Sequence, residues 1–378
     1  MTKKELKELQ DSIVKDLPPN PHGRLLLSQR MGKSRIAINI IKRDKPQSIL
    51  WVTPFTSLAE EDIPKEFEKW NAKRYLKKLT TITWASLNKI TGHYDMIIFD
   101  EEQFITTNNI VNFALGKITY NNIISMTGTP TEHEDKLELY GALNLKVIKD
   151  YSLNDAVNDG VLSDYNINVV MVPMTDEKVV EAGNKKNRFF TSEKSNYNYL
   201  DERVLKTNYS QFAILARLWA IRKSPSKLKV AGYLFKNIQR RRLMFCSTKK
   251  IASDMSKHVF HSSTSSKYYD MFKEGIIDNL VLVESGGIGS TYTGIQDLIL
   301  CQADSNKNGQ TGQKLARALL YEKGKKPTIW ILCLEGTQDV TYVENTLNSF
   351  DRSKVNYIYL KDTSNLDNQL KDKIYGDK

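Results

Sequence analysis

The chain has 378 residues and a mass of 43.4 kDa, enough for two to three domain-sized units, with two as the plain reading. Hydrophobic residues at 40% and charged residues at 26% exclude a disordered or fibrous chain, and no apolar run is long enough to cross a bilayer. Lys and Arg outnumber Asp and Glu by 55 to 44, a net charge of +11 that suits a partner made of phosphates and is equally compatible with plain solubility.

In chain order, Met1 to Gln10 carries three Lys and two Glu without an apolar core, which is not the pattern of a secretory signal. Leu25 to Leu27 reads as a strand, followed by a Gly-Lys turn and a helix over Arg35 to Lys42. Ser48 to Val52 is strand-like, Ala59 to Trp70 helical, and Asp95 to Phe99 and Asn122 to Met126 are short apolar strands. Such alternation predicts βαβ units on a parallel sheet, with chemistry at the C-terminal strand ends. Tyr151 to Asp164, rich in Asp, Asn and Gly, reads as a junction. Residues 175 to 227 read as a polar, basic, helix-like insertion. A second alternating set follows: strands Leu243–Cys246, Leu280–Val283, Leu298–Cys301 and Thr328–Leu334, with helices over Ile251–Val259 and Tyr268–Glu274. Cys246, Cys301 and Cys333 each sit in or beside an apolar run and read as reduced core residues, not as a disulfide frame or metal site.

Three segments carry chemistry. The first is Leu27-Ser28-Gln29-Arg30-Met31-Gly32-Lys33-Ser34, between a strand and a helix. Backbone N–H groups around Arg30, Met31 and Gly32, with the helix N-terminus behind them, form a concave positive site for phosphates. Lys33 brings a point charge to the β- and γ-phosphates, and the Ser34 hydroxyl can ligate Mg2+. Leu27 stands where the usual pattern has its first glycine. The second segment is Met96-Ile97-Ile98-Phe99, an apolar strand running into Asp100-Glu101-Glu102-Gln103. Asp100 is placed to hold Mg2+, and Glu101 to orient and deprotonate an attacking water. The third is Ser125-Met126-Thr127-Gly128-Thr129-Pro130, where Thr127, Gly128 and Thr129 can sense the γ-phosphate through Glu101; by itself this is also ordinary turn chemistry.

Taken in order, these segments resemble the helicases and translocases of superfamily two. Asp100-Glu101-Glu102-Gln103 resembles the D-E-x-H/Q box, and Thr127-Gly128-Thr129-Pro130 the third motif. Trp51-Val52-Thr53-Pro54-Phe55-Thr56-Ser57-Leu58 resembles motif Ia and Thr83-Trp84-Ala85-Ser86-Leu87 motif Ib, which line the nucleic-acid track in that family. Gln10 stands where an adenine-reading glutamine is expected. Leu243 to Thr248 resembles motif IV, Ser285 to Ser290, with Gly289, motif V, and Gln313-Lys314-Leu315-Ala316-Arg317-Ala318-Leu319-Leu320 motif VI. In motif VI, Ala316 replaces a glycine and Leu320 the last arginine, which leaves Arg317 as the arginine-finger candidate, with Gln313 beside it, and puts fast turnover in doubt.

The resemblance implies two RecA-like parallel-sheet domains in tandem, over 1–150 and 151–378, with an ATP cleft between them and ATP and Mg2+ as ligands. It implies a cytoplasmic location (host cytoplasm for a phage protein, since compact phage helicases and type III restriction motors share the layout). It further implies a nucleic-acid strand, DNA by preference and single-stranded or forked, along Pro54, Phe55, Thr56, Thr83, Trp84, Ser247, Thr248 and Gly289, with no membrane partner. Trp84 is a candidate for base stacking, although a buried aromatic fits as well. Lys185, Lys186, Arg188, Lys194, Arg240, Arg241 and Arg242 are candidate phosphate contacts. Replication or recombination proteins are expected partners. An RNA helicase, or a slow ATP-switched clamp or loader, stands as the alternative.

Overall fold

The computed structural model describes residues 1–130, 133–183, 187–283, 292–304 and 310–376. It divides into two compact units, residues 1–162 with 307–313 and residues 163–306 with 314–378.

The first unit holds a six-stranded sheet of β1 (Gly23–Leu27), β2 (Ile49–Thr53), β3 (Leu79–Thr83), β4 (Gly92–Asp100), β5 (Ile118–Thr127) and β6 (Val147–Tyr151). The spatial order is β3-β2-β4-β5-β1-β6, and every pairing is parallel. Helices on both faces explain the unbroken apolar runs: Met96 to Phe99 are fully buried. β4, β5 and β1 are neighbours, so the loops that leave their C-terminal ends emerge side by side. Asp100 is level with Met126, and Leu26 with Thr127.

The second unit holds a seven-stranded parallel sheet, β7 (Asn166–Val172), β10 (Arg242–Cys246), β11 (Val259–Phe260), β12 (Asn279–Val283), β13 (Asp297–Leu300), β14 (Thr328–Leu334) and β15 (Val355–Tyr359). Its order is β11-β12-β10-β13-β14-β7-β15. β8 (Val180–Gly183) and β9 (Arg188–Thr191) form a separate antiparallel hairpin, followed by helices Glu193–Lys206 and Gln211–Arg222. The segment read as helix-like therefore opens with a hairpin.

The edge strands β3, β6, β11 and β15 escape the sequence reading, because they bury little side chain and lack the apolar run, and the central strand β7 escapes it too, although Val169 to Val172 are buried. The helix expected over Ala59–Trp70 is a π-helical turn, Leu58–Asp62, followed by an α-helix, Ile63–Lys69. Pro64 lies at the start of the α-helix, where its missing N–H is harmless. The three cysteines are free and buried. No helix among the described residues is long and apolar enough to cross a membrane.

Candidate functional site

The first loop leaves β1 at Leu27. Arg30 and Gly32 both take left-handed backbone conformations, at φ +67° and +70°. Gly32 caps the helix Lys33–Asp44, and a Cβ there would run into the Gln10 amide. Gln10 is buried under the loop: its Nε2 donates to the Met31 carbonyl at 2.7 Å, and its Oε1 accepts from Arg35 at 2.5 Å. Arg35 also donates to Asp11 at 2.8 Å, so the N-terminal helix is tied to the loop. The Met31 side chain is fully buried, so a ligand could meet Met31 only at its backbone. Burial lowers the pKa of Arg30.

The second loop leaves β4. Glu101 sits at φ +53°, a strained position for a residue with a Cβ. Its Oε1 lies 3.3 Å from Lys33 Nζ. Burial, and then the negative charge of Glu101, push the Asp100 carboxyl up to about 7, against the opposing pull of Lys33. Glu102 turns the other way: its Oε1 accepts from Arg24 Nε and Nη2 at 2.9 and 2.7 Å, and its Oε2 from Ser125 Oγ at 2.6 Å.

The third loop leaves β5 and lies against the first. A Cβ on Gly128 would come within 3.0 Å of Lys33 Nζ, 3.1 Å of the Leu27 carbonyl and 3.2 Å of the Gln29 nitrogen. Gln103 joins the second loop to the third. Its Nε2 donates to Glu101 Oε2 at 3.0 Å and to Thr129 Oγ1 at 3.3 Å, while Thr127 Oγ1 donates to its Oε1 at 2.8 Å. The Thr129 nitrogen donates to Thr127 Oγ1 at 3.0 Å. Sequence reasoning gave Gln103 no role of its own; its position in the acidic box was the available signal.

The residues fit a magnesium-bound triphosphate. Ser28 Oγ and Gln29 Nε2, both in the first loop, are buried without a hydrogen-bond partner. Two adjacent carboxylates face one lysine, Ser34 lies half-buried in the first helical turn, and glycines stand where side chains would fill the cradle.

The expected nucleic-acid residues fare unevenly. Thr56 is exposed, and Pro54, Thr83, Ser247 and Thr248 are half-buried. Phe55 is also half-buried, edge-on to Phe104 at 6.1 Å. Thr248 Oγ1 accepts from the Ile251 nitrogen and caps the helix Lys249–Met255. Trp84 is not a stacking platform: it is 4% exposed, packs on Phe99 at 4.8 Å and donates from Nε1 to the Asp100 carbonyl at 3.0 Å. The run Arg240–Arg242 is likewise committed to the fold. Arg240 pairs with Asp297 at 2.8 Å, Arg241 donates to the carbonyls of Thr293 and Ile277, and Arg242 lies over the Phe235 ring. Gly289 and the rest of motif V, like Lys185 and Lys186, lie outside the described residues.

In the second unit Arg317 is buried in the turn after the helix Gln310–Leu315, its guanidinium 5.7 Å from the Phe245 ring and 5.8 Å from the Tyr292 ring. Gln313 is half-buried on that helix. Lys314 and Arg222 both pair with Asp304, at 3.3 and 2.7 Å.

Known structures share this arrangement of sheets. The ATP-dependent Type ISP restriction-modification enzyme LlaBIII, bound to DNA, matches 100% of this chain at a TM-score of 0.59 and 12% identity. The chain has a fold of two RecA-like parallel-sheet units in tandem. The Pyrococcus furiosus Hef helicase domain matches 91% of the chain and 99% of its own length, at a TM-score of 0.50 and 14% identity. A Saccharomyces cerevisiae Dbp5 variant bound to RNA and ADP BeF3 matches 98% and 93%, at 0.51 and 10%. The chain spans about a third (32%) of the length of LlaBIII. No protein-family model and no curated protein sequence matches it.

Proposed function

We propose that the chain is an ATP-driven nucleic-acid motor, a DNA helicase or translocase. The observation that carries this reading is the 3.3 Å contact between Lys33 Nζ and Glu101 Oε1, which brings the phosphate loop and the acidic strand tip to one place. Lys33 neutralises the β- and γ-phosphates in place of Glu101. Glu101, released from the lysine, orients the attacking water and takes its proton. Ser34 and Asp100 would hold Mg2+, which would supply positive charge against that of the phosphates. Such a cation would also offset the burial, and the lesser repulsion by Glu101, that raise the Asp100 pKa. Gln103 hydrogen-bonds Glu101, Thr127 and Thr129 together, so a change at the γ-phosphate is felt at the third loop. Arg317 serves as the arginine finger, a role worth roughly three to five orders of magnitude in rate.

The preference for DNA is supported by the likeness to a DNA-bound restriction enzyme. The RNA-bound Dbp5 likeness keeps RNA as the competing substrate. ATP hydrolysis is to be measured with single-stranded, duplex and forked DNA and with RNA, beside an unwinding assay. Stimulation by DNA above RNA, abolished in Lys33→Ala and Glu101→Gln, is the expected result. Wild-type rates in Lys33→Ala would overturn the mechanism.

A further inference from the structure

Exposed aromatic side chains gather in one part of the molecule. Among the described residues ten aromatics are strongly exposed, and six of them lie between Phe189 and Trp219. This stretch belongs to the 52 residues that connect β7 to the helix Pro225–Asn237, which contain ten Lys or Arg against six Asp or Glu. About a seventh of the chain thus carries four of its eleven excess positive charges.

Within it, the β8–β9 hairpin and the helix Glu193–Lys206 enclose a cavity of about 760 Å3, inside the range of roughly 300–1,000 Å3 common for small-ligand sites. Ser195, Tyr199 and Arg203 follow one another at four-residue spacing, so a hydroxyl, a phenol ring and a guanidinium stand in a row along one helix face. Phe189 and Thr191, two apart on β9, share one strand face and line the opposite wall. Phe189 is 57% exposed and Tyr199 64%. A Cβ on Gly183, at φ +99°, would run into the Asn187 carbonyl across the hairpin and would meet the Phe189 ring at 3.3 Å.

Two exposed rings, a guanidinium and short hydrogen-bonding side chains around an open cavity suit a flat heterocycle attached to a phosphate. We propose that this cavity takes an unpaired base of single-stranded nucleic acid, stacked on Tyr199 or Phe189, with Arg203 on the adjoining phosphate. The inference rests on the reading of the chain as a nucleic-acid motor and adds a contact surface in the second unit.

The test uses the full chain and fluorescein-labelled oligothymidylate at fixed salt, with and without abasic positions. None of these residues belongs to the ATP machinery, so ATP hydrolysis without nucleic acid stays at the wild-type rate. Phe189→Ala with Tyr199→Ala is expected to weaken binding tenfold or more, and Tyr199→Trp to restore it. Abasic positions weaken binding by the wild type but add nothing in the double variant. Arg203→Gln is expected to flatten the dependence of log Kd on log salt by about 0.7, the share of one single-strand phosphate. If the double variant binds the oligonucleotide within twofold of wild type, this site is not a base pocket, and a protein partner becomes its occupant. If the wild type itself binds neither DNA nor RNA, the motor reading fails first and takes this inference with it.

Discussion

Trp84 Nε1 donates a 3.0 Å hydrogen bond to the carbonyl of Asp100, so the tryptophan braces the strand tip that carries the candidate metal ligand. Trp84→Phe keeps an aromatic ring against Phe99 and loses that bond, at an expected cost of about 1 kcal/mol in urea denaturation. Oligonucleotide affinity should stay unchanged. A tenfold loss of affinity without a loss of stability would return Trp84 to the nucleic-acid track.

Lys33 and Glu101 face each other in an ion pair at 3.3 Å, with both side chains mostly buried. Lys33→Ala should lower both ATP affinity and turnover. Glu101→Gln should keep nucleotide binding and cut single-turnover hydrolysis by roughly a hundredfold or more, the usual worth of a general base. Nucleotide-binding calorimetry beside rapid-quench kinetics separates the two.

Gln103 and Thr127 meet at 2.8 Å, and neither is assigned a direct part in the chemistry. Thr127→Val should therefore leave basal ATP hydrolysis within about threefold of wild type and sharply reduce its stimulation by nucleic acid. Equal losses with and without nucleic acid would make the pair a support of the site and not a relay.

Arg24 and Glu102 form a buried pair 2.7 Å apart beneath the acidic loop. Arg24→Met leaves the carboxylate buried with only Ser125 as a donor, and the expected cost is about 3–5 kcal/mol. Arg24→Met combined with Glu102→Met should recover much of that loss, which denaturation midpoints will show.

Asp297 is fully buried, and its pKa is raised because desolvation outweighs the pull of Arg240. The folded chain therefore binds this proton more readily than the unfolded one. Ionisation costs stability: the cost is absent below the usual Asp pKa and fully present above the raised one. Asp297→Asn should gain on wild type as pH rises through that window, with the Trp330 hydrogen bond to Oδ1 retained. A gain that grows instead as pH falls would contradict this assignment.

Local chemistry wrote much of this protein into its sequence. The buried strands β1, β2, β4, β5, β10, β12, β13 and β14 announce themselves because burial on both faces demands continuous apolar residues. The loops beginning at Ser28, Asp100 and Thr127 are legible because a helix N-terminus, paired acids and a Gly-Thr turn are short-range patterns. The rest required three dimensions. Edge strands carry no strong pattern, and the burial of Glu102 and Trp84 depends on β-strands far away in the chain. The commitment of Gln10 to Met31 and Arg35, the burial of Arg317 between two rings, and the row of Ser195, Tyr199 and Arg203 opposite Phe189 are all relations across the fold. Residue identity sets what a side chain can do; packing decides what it is free to meet.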